Sequence, residues 1–129
     1  MIRSTLHRAA AGAGIAALLA AGGTLAHHGF VSYDTENPIM IEGFVSEEMD
    51  GFPHWEINVR SEGQDWTVDV GNDFTLQRAG LASNGSDFQI GREIRIEGYR
   101  VTDPGWYHIA PFRITLDGDK VHDIEVDID

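Results

Sequence analysis

The chain contains no cysteine in its 129 residues. That excludes a disulfide framework, a zinc–thiolate centre and a cysteine nucleophile. Basic residues are scarce: nine Lys and Arg stand against 21 Asp and Glu, a formal net charge of −12. A surface of that sign repels nucleic-acid phosphates and anionic lipid and attracts cations. Catalytic signatures are missing as well. No Gly-x-Ser-x-Gly elbow, His-Glu-x-x-His helix, phosphate loop or dinucleotide fingerprint occurs, so no motif names a reaction. With so many carboxylates, chance pairs are unavoidable and point to no glycosidase. The expectation is a binding protein rather than an enzyme.

What is present supports one domain. The hydrophobic share is 42%, enough for a packed core at this length. The only long apolar run opens the chain. Residues 1–26 read as a signal peptide: Arg3 and Arg8 precede the charge-free run Ala9–Ala21, and Thr24-Leu25-Ala26 ends in a small residue suited to cleavage. The run is too short for a membrane anchor, so a periplasmic protein without a membrane span is expected. Cleavage removes both arginines and no carboxylate, which makes the mature chain more acidic still.

Residues 27–38 read as an N-terminal arm, with Phe30 and Tyr33 as aromatic anchors. Residues 39–129 read as a β-domain. Period-two alternation places Ile39, Ile41 and Val45 on one face of a first strand, with Gly43 marking a bend or bulge. A second strand, His54–Arg60, turns Trp55, Ile57 and Val59 inward and His54, Glu56, Asn58 and Arg60 outward. After a hairpin at Ser61–Gln64, a third strand, Asp65–Val70, buries Trp66, Val68 and Val70. A short helix at Phe74–Ala79 follows, capped by Asn72 or Asp73 and ended by Gly80. Two more strands, Glu93–Val101 and Tyr107–Leu116, supply Ile94, Ile96, Phe112 and Ile114 to the core. Ile124, Val126 and Ile128 suggest a last strand at the C-terminus.

Three strands, a helix and two strands is the order of an OB-fold: a small five-stranded Greek-key barrel, all-β apart from one short helix. Another small antiparallel barrel or sandwich is the alternative. OB barrels often bind nucleic acid across their second and third strands. Here the third strand shows Asp65, Thr67 and Asp69 on its exposed side, and such a face disfavours that ligand.

Five of the six histidines lie beyond residue 26. After cleavage His27 becomes the N-terminus, where its amine and ring form a chelate for a metal ion. One further imidazole completes a three-nitrogen set suited to tetragonal Cu(II). His54 is the best internal partner: it starts a strand after the rigid Pro53, and Glu56 and Asn58 stand where they can orient it. His28 and His108 are assisting ligands, and His108 is alternatively a core residue beside Phe112. His122 reads as a surface loop residue. Met40 and Met49 read as packing. Arg78 is placed to pair with Asp69 or Glu56 in a helix-to-barrel salt bridge.

Four stretches carry a resemblance: His27-His28-Gly29-Phe30, Phe52-Pro53-His54-Trp55, Trp66 with Leu76-x-Arg78-x-Gly80, and Gly91 with Ile96-x-Gly98-Tyr99. Together they resemble a family of small exported bacterial proteins of unknown function. Its pattern opens Ala-His-His-Ser-Phe and carries Asn-Pro-His-Ala before the second strand. The resemblance implies a periplasmic β-barrel, and its histidine positions land on His27, His28 and His54. Gly29 and Phe52 depart from the family's Ser and Asn, so no role of those side chains carries over. The terminal-histidine donor set is similar, as ligands only, to the copper brace of lytic polysaccharide monooxygenases and periplasmic copper carriers.

Two readings follow. The first is a carrier or buffer of copper or another divalent ion, through His27 and His54 with His28 or His108. The second is a non-metal module that uses a face around Trp55, Trp106 and Tyr107 for a small ligand or another envelope protein.

Overall fold

The computed structural model describes residues 31–128. The expected signal peptide and cleavage point, together with His27 and His28, lie outside them.

Six strands form one sheet: β1 (Ile39–Asp50), β2 (Trp55–Ser61), β3 (Gln64–Gly71), β4 (Glu93–Arg100), β5 (His108–Leu116) and β6 (Lys120–Asp123). Their order is β3-β2-β1-β4-β5-β6. A parallel contact of β3 with β5, Thr67 opposite His108 and Val68 opposite Ile109, joins the first five into a closed barrel. Among the described residues the one helix, α1 (Asp73–Arg78), stands between β3 and β4. This is the OB-like architecture that the order of elements predicts.

Closure depends on β1 serving two neighbours. Its first half pairs with β4, from Ile39 opposite Gly98 to Phe44 opposite Glu93. Its second half pairs with β2, from Phe44 opposite Arg60 to Asp50 opposite Glu56. At the crossover, a Cβ on Gly43 would strike the Arg60 carbonyl. Only glycine lets the two backbones approach that closely.

Alternation fills the interior. Ile57 and Val59 from β2, Trp66, Val68 and Val70 from β3, and Ile94 and Ile96 from β4 are all buried. Leu76 of α1 and Phe88 of the following loop join the same core. Trp55 is half-buried, because its indole turns toward α1: Nε1–H donates to Asp73 Oδ1 at 2.6 Å. The helix starts one residue earlier than expected. Asn72 caps it, accepting from Thr75 N–H while the Thr75 hydroxyl accepts from Asn72 N–H.

Three expectations are corrected. Phe112 is not a core residue. The β4–β5 register slips between Glu97 and Gly98, which takes Phe112 out of the inward series. Its ring instead lies against Tyr99 at 5.3 Å between centroids, and Ile109 takes the interior place beside Ile114. The last strand is β6, earlier than the 124–128 stretch, because the tight turn at Asp117–Gly118 pairs Leu116 with Lys120 at once. Ile124 is buried just beyond it. His122 is no loop residue: it lies in β6, and Nδ1 of its half-buried ring is 2.8 Å from the Ala79 carbonyl at the end of α1.

Candidate functional site

The outer face of β2, β3 and β5 holds the chemistry. His54 ends the β1–β2 loop. Its backbone N–H donates to the Gly51 carbonyl at 2.9 Å. The next residue is fixed by the Trp55–Asp73 bond and by the Phe52 ring, 5.5 Å from the Trp55 ring. The imidazole leans across to β3, where Nε2 lies 3.0 Å from Asp69 Oδ2. The second carboxylate oxygen of Asp69 accepts from Gly71 N–H at 2.8 Å.

This pair is asymmetric. The Asp69 side chain is 10% exposed and that of His54 60%. An ionised carboxylate can only accept, so the bond assigns the ring proton of neutral His54 to Nε2 and leaves the lone pair on Nδ1. A carboxylate that holds a histidine in one tautomer is a common support for a metal-binding imidazole.

His108 begins β5 opposite Thr67, two residues from Asp69 on the same outer face of β3. Its ring lies between two others, 5.2 Å from Trp106 and 6.1 Å from Tyr33. The residue is 7% exposed, and among the described residues neither ring nitrogen has a hydrogen-bond partner. Burial holds the imidazole below its usual pKa. The Glu56 and Asp69 carboxylates oppose that shift and the neighbouring His54 adds to it. At neutral pH His108 is therefore an uncharged ring.

Tyr33 completes the cluster. Its backbone bridges to Val101, and Asp34 N–H donates to the Arg100 carbonyl at 2.8 Å. The arm is thus tied to the end of β4 by one of its two expected aromatics. Burial, then the charges of Asp69 and Glu56, push the Tyr33 phenol up to about 12, so it stays protonated.

Other expected site residues fall elsewhere. Glu56 is exposed and acts on His108 and Tyr33 through its charge. Asn58 turns to β1 and donates to Glu47 at 3.2 Å. Asp69, not Glu56 or Asn58, is what orients His54. Arg78 is exposed and, among the described residues, makes no ion pair with Asp69 or Glu56, because Asp69 is already committed to His54. Asp69 is buried, at 7% exposure, although alternation put it outside with Asp65. Trp106 and Tyr107 are part-exposed on the loop before β5. Tyr107 meets Trp66 edge-on at 5.1 Å, and the Arg100 guanidinium lies over both rings.

Among the described residues, no three His, Asp or Glu side chains converge on one ion position. No helix there is long and apolar enough to cross a membrane.

The chain belongs to a family of unknown function, DUF6152, whose pattern matches residues 16–106. The match spans the cluster of Tyr33, His54 and Asp69 and stops short of His108. No curated protein matches the chain.

Proposed function

We propose that this is an exported periplasmic protein that binds a divalent metal ion, Cu(II) foremost, as a carrier or buffer. The observation that carries the reading is the oriented His54 ring, held by a buried carboxylate beside a buried His108 whose ring nitrogens have no hydrogen-bond partner among the described residues. Two imidazoles on an acidic face form a donor set for a borderline divalent cation.

The remaining donors would come from the mature N-terminus. His27 is six residues before Tyr33, a reach of at most about 20 Å of extended chain, and Tyr33 is tied down beside His108. The His-His-x-Phe and Pro-His stretches support the same three histidines. The nitrogen-rich donor set and the lack of cysteine favour Cu(II) over Cu(I).

Two measurements test this. Intact mass of the secreted protein should correspond to a chain beginning at His27, and a start at Gly29 or later removes the chelating amine. Cu(II) titration at fixed pH should then show His54→Ala binding at least about tenfold more weakly. One extra residue before His27 should weaken binding similarly, and His122→Ala should leave it unchanged. Equal affinity of the extended and authentic N-termini would discard the terminal chelate in favour of the non-metal binding module.

A further inference from the structure

Among the described residues, the second half of β1 has a strand on one side only. On the β4 side its pairing ends at Phe44 opposite Glu93. A last pair of bonds follows, from Val45 N–H to the Arg92 carbonyl and from Gly91 N–H to the Val45 carbonyl. From Ser46 to Asp50, the only strand among the described residues that pairs with β1 is β2. Among the described residues, the other edge of this segment makes no backbone hydrogen bond to the loop facing it.

Open space follows that edge. A groove of about 500 Å³ lies between Glu48–Met49 and the loop from Asn84 to Ile90. It shares Glu48, Met49 and Ile90 with a second groove, of about 680 Å³, that extends to Glu56 and Asn58.

The charge of this channel has one sign. Glu47, Glu48, Asp50 and Glu56 line it, and among the described residues none of them makes an ion pair. The arginines that do make ion pairs are engaged elsewhere: Arg60 with Asp65, Arg92 with Asp117, Arg95 with Glu42 and Arg113 with Asp123. Apolar surface accompanies the carboxylates, since Ile90 is 61% exposed at the rim.

We propose that the open edge of β1 at Ser46–Asp50 takes an extended, lysine- or arginine-rich segment of another protein by strand addition. Unpaired N–H and C=O groups on a strand edge supply backbone bonds to an extended chain. The uncompensated carboxylates select a cationic one. Met49 and Ile90 offer contact to the aliphatic stems of its Lys or Arg side chains. A second copy of this chain is a poor occupant, because it carries the same net charge of −12. The proposal uses neither His54 nor His108 and stands apart from the metal reading.

The probe is a synthetic peptide of about eight residues alternating Lys and Val, the length of an ordinary strand. Calorimetry with the secreted protein should show binding, and amide exchange should slow at Ser46–Asp50. A backbone N-methylated peptide of the same sequence should bind at least about tenfold more weakly, since strand pairing needs its N–H groups. The double charge reversal Glu48→Lys with Asp50→Lys should weaken the unmethylated peptide at least as much. Equal affinity for the methylated peptide would reduce the effect to charge alone and overturn strand addition. Failure to bind, or protection confined to residues outside Ser46–Asp50, would overturn it as well.

Discussion

His54 Nε2 and Asp69 Oδ2 stand 3.0 Å apart, although the two residues are 15 positions apart in the chain. One partner is exposed and the other covered, so the carboxylate fixes a ring that remains open to a ligand. Asp69→Asn retains the shape and an oxygen for Gly71 N–H but loses the charge that holds the Nε2 proton. Cu(II) affinity should fall about ten- to a hundredfold, the usual effect of removing such a support. Calorimetric titration checks it; unchanged affinity would mean that Asp69 has no part in presenting the ring.

Burial of His108 predicts an acid-side loss of stability. The ring's pKa is lowered in the folded protein from the ordinary 6.5, so the unfolded chain takes up this proton first. Stability from this group is complete above pH 6.5 and is lost as pH falls from there toward the folded value. Urea midpoints measured from pH 8 to pH 5 should fall less steeply for His108→Phe than for the unchanged protein. Parallel slopes would show that the ring does not titrate differently on folding.

Gly43→Ala should be severe for a half-buried strand position. Its Cβ would meet backbone, the Arg60 carbonyl and Ser61 Cα, which cannot rotate away as a side chain can. A loss of at least about 2 kcal/mol is expected, read from chemical denaturation. A change within error would mean that β1 and β2 can separate at the crossover without harm.

Trp66→Ala should cost about 3–5 kcal/mol, as large aromatic truncations in cores do. Trp66 is 9% exposed and also supports Tyr107 and Arg100. A loss below about 1 kcal/mol would show that the indole carries little of the core.

The sequence makes the barrel legible where alternation is unbroken. Ile57, Val59, Trp66 and Val68 all face inward as their period requires. Alternation fails at Phe112, where a register slip against β4 moves one residue out of phase; nothing in a single strand announces its partner's irregularity. It fails differently at Asp69, which is on the outer face as expected yet is covered, because burial there depends on neighbours distant in sequence. The signal for Asp69 was nonetheless present. Counting back from the Ser61–Gln64 hairpin puts Asp69 opposite Glu56, beside the strand start that carries His54. Tyr33 was legible as an anchor for the arm. Its placement against His108 was not, since it follows from the bridge to Val101.

The barrel's seam is short: β3 and β5 meet through Thr67–His108 and Val68–Ile109 alone, with Thr67 N–H donating to the Tyr107 carbonyl beside them. These are contacts between segments far apart in the chain, the kind whose loop-closure entropy slows folding. The seam has fewer ladder pairs than any other junction of the barrel. His54, through its bond to Asp69 of β3, stands on one side of it, and His108 of β5 on the other. Anything that bridges the two rings also bolts the cylinder shut, so the lifetime of the closed barrel becomes a report on occupancy.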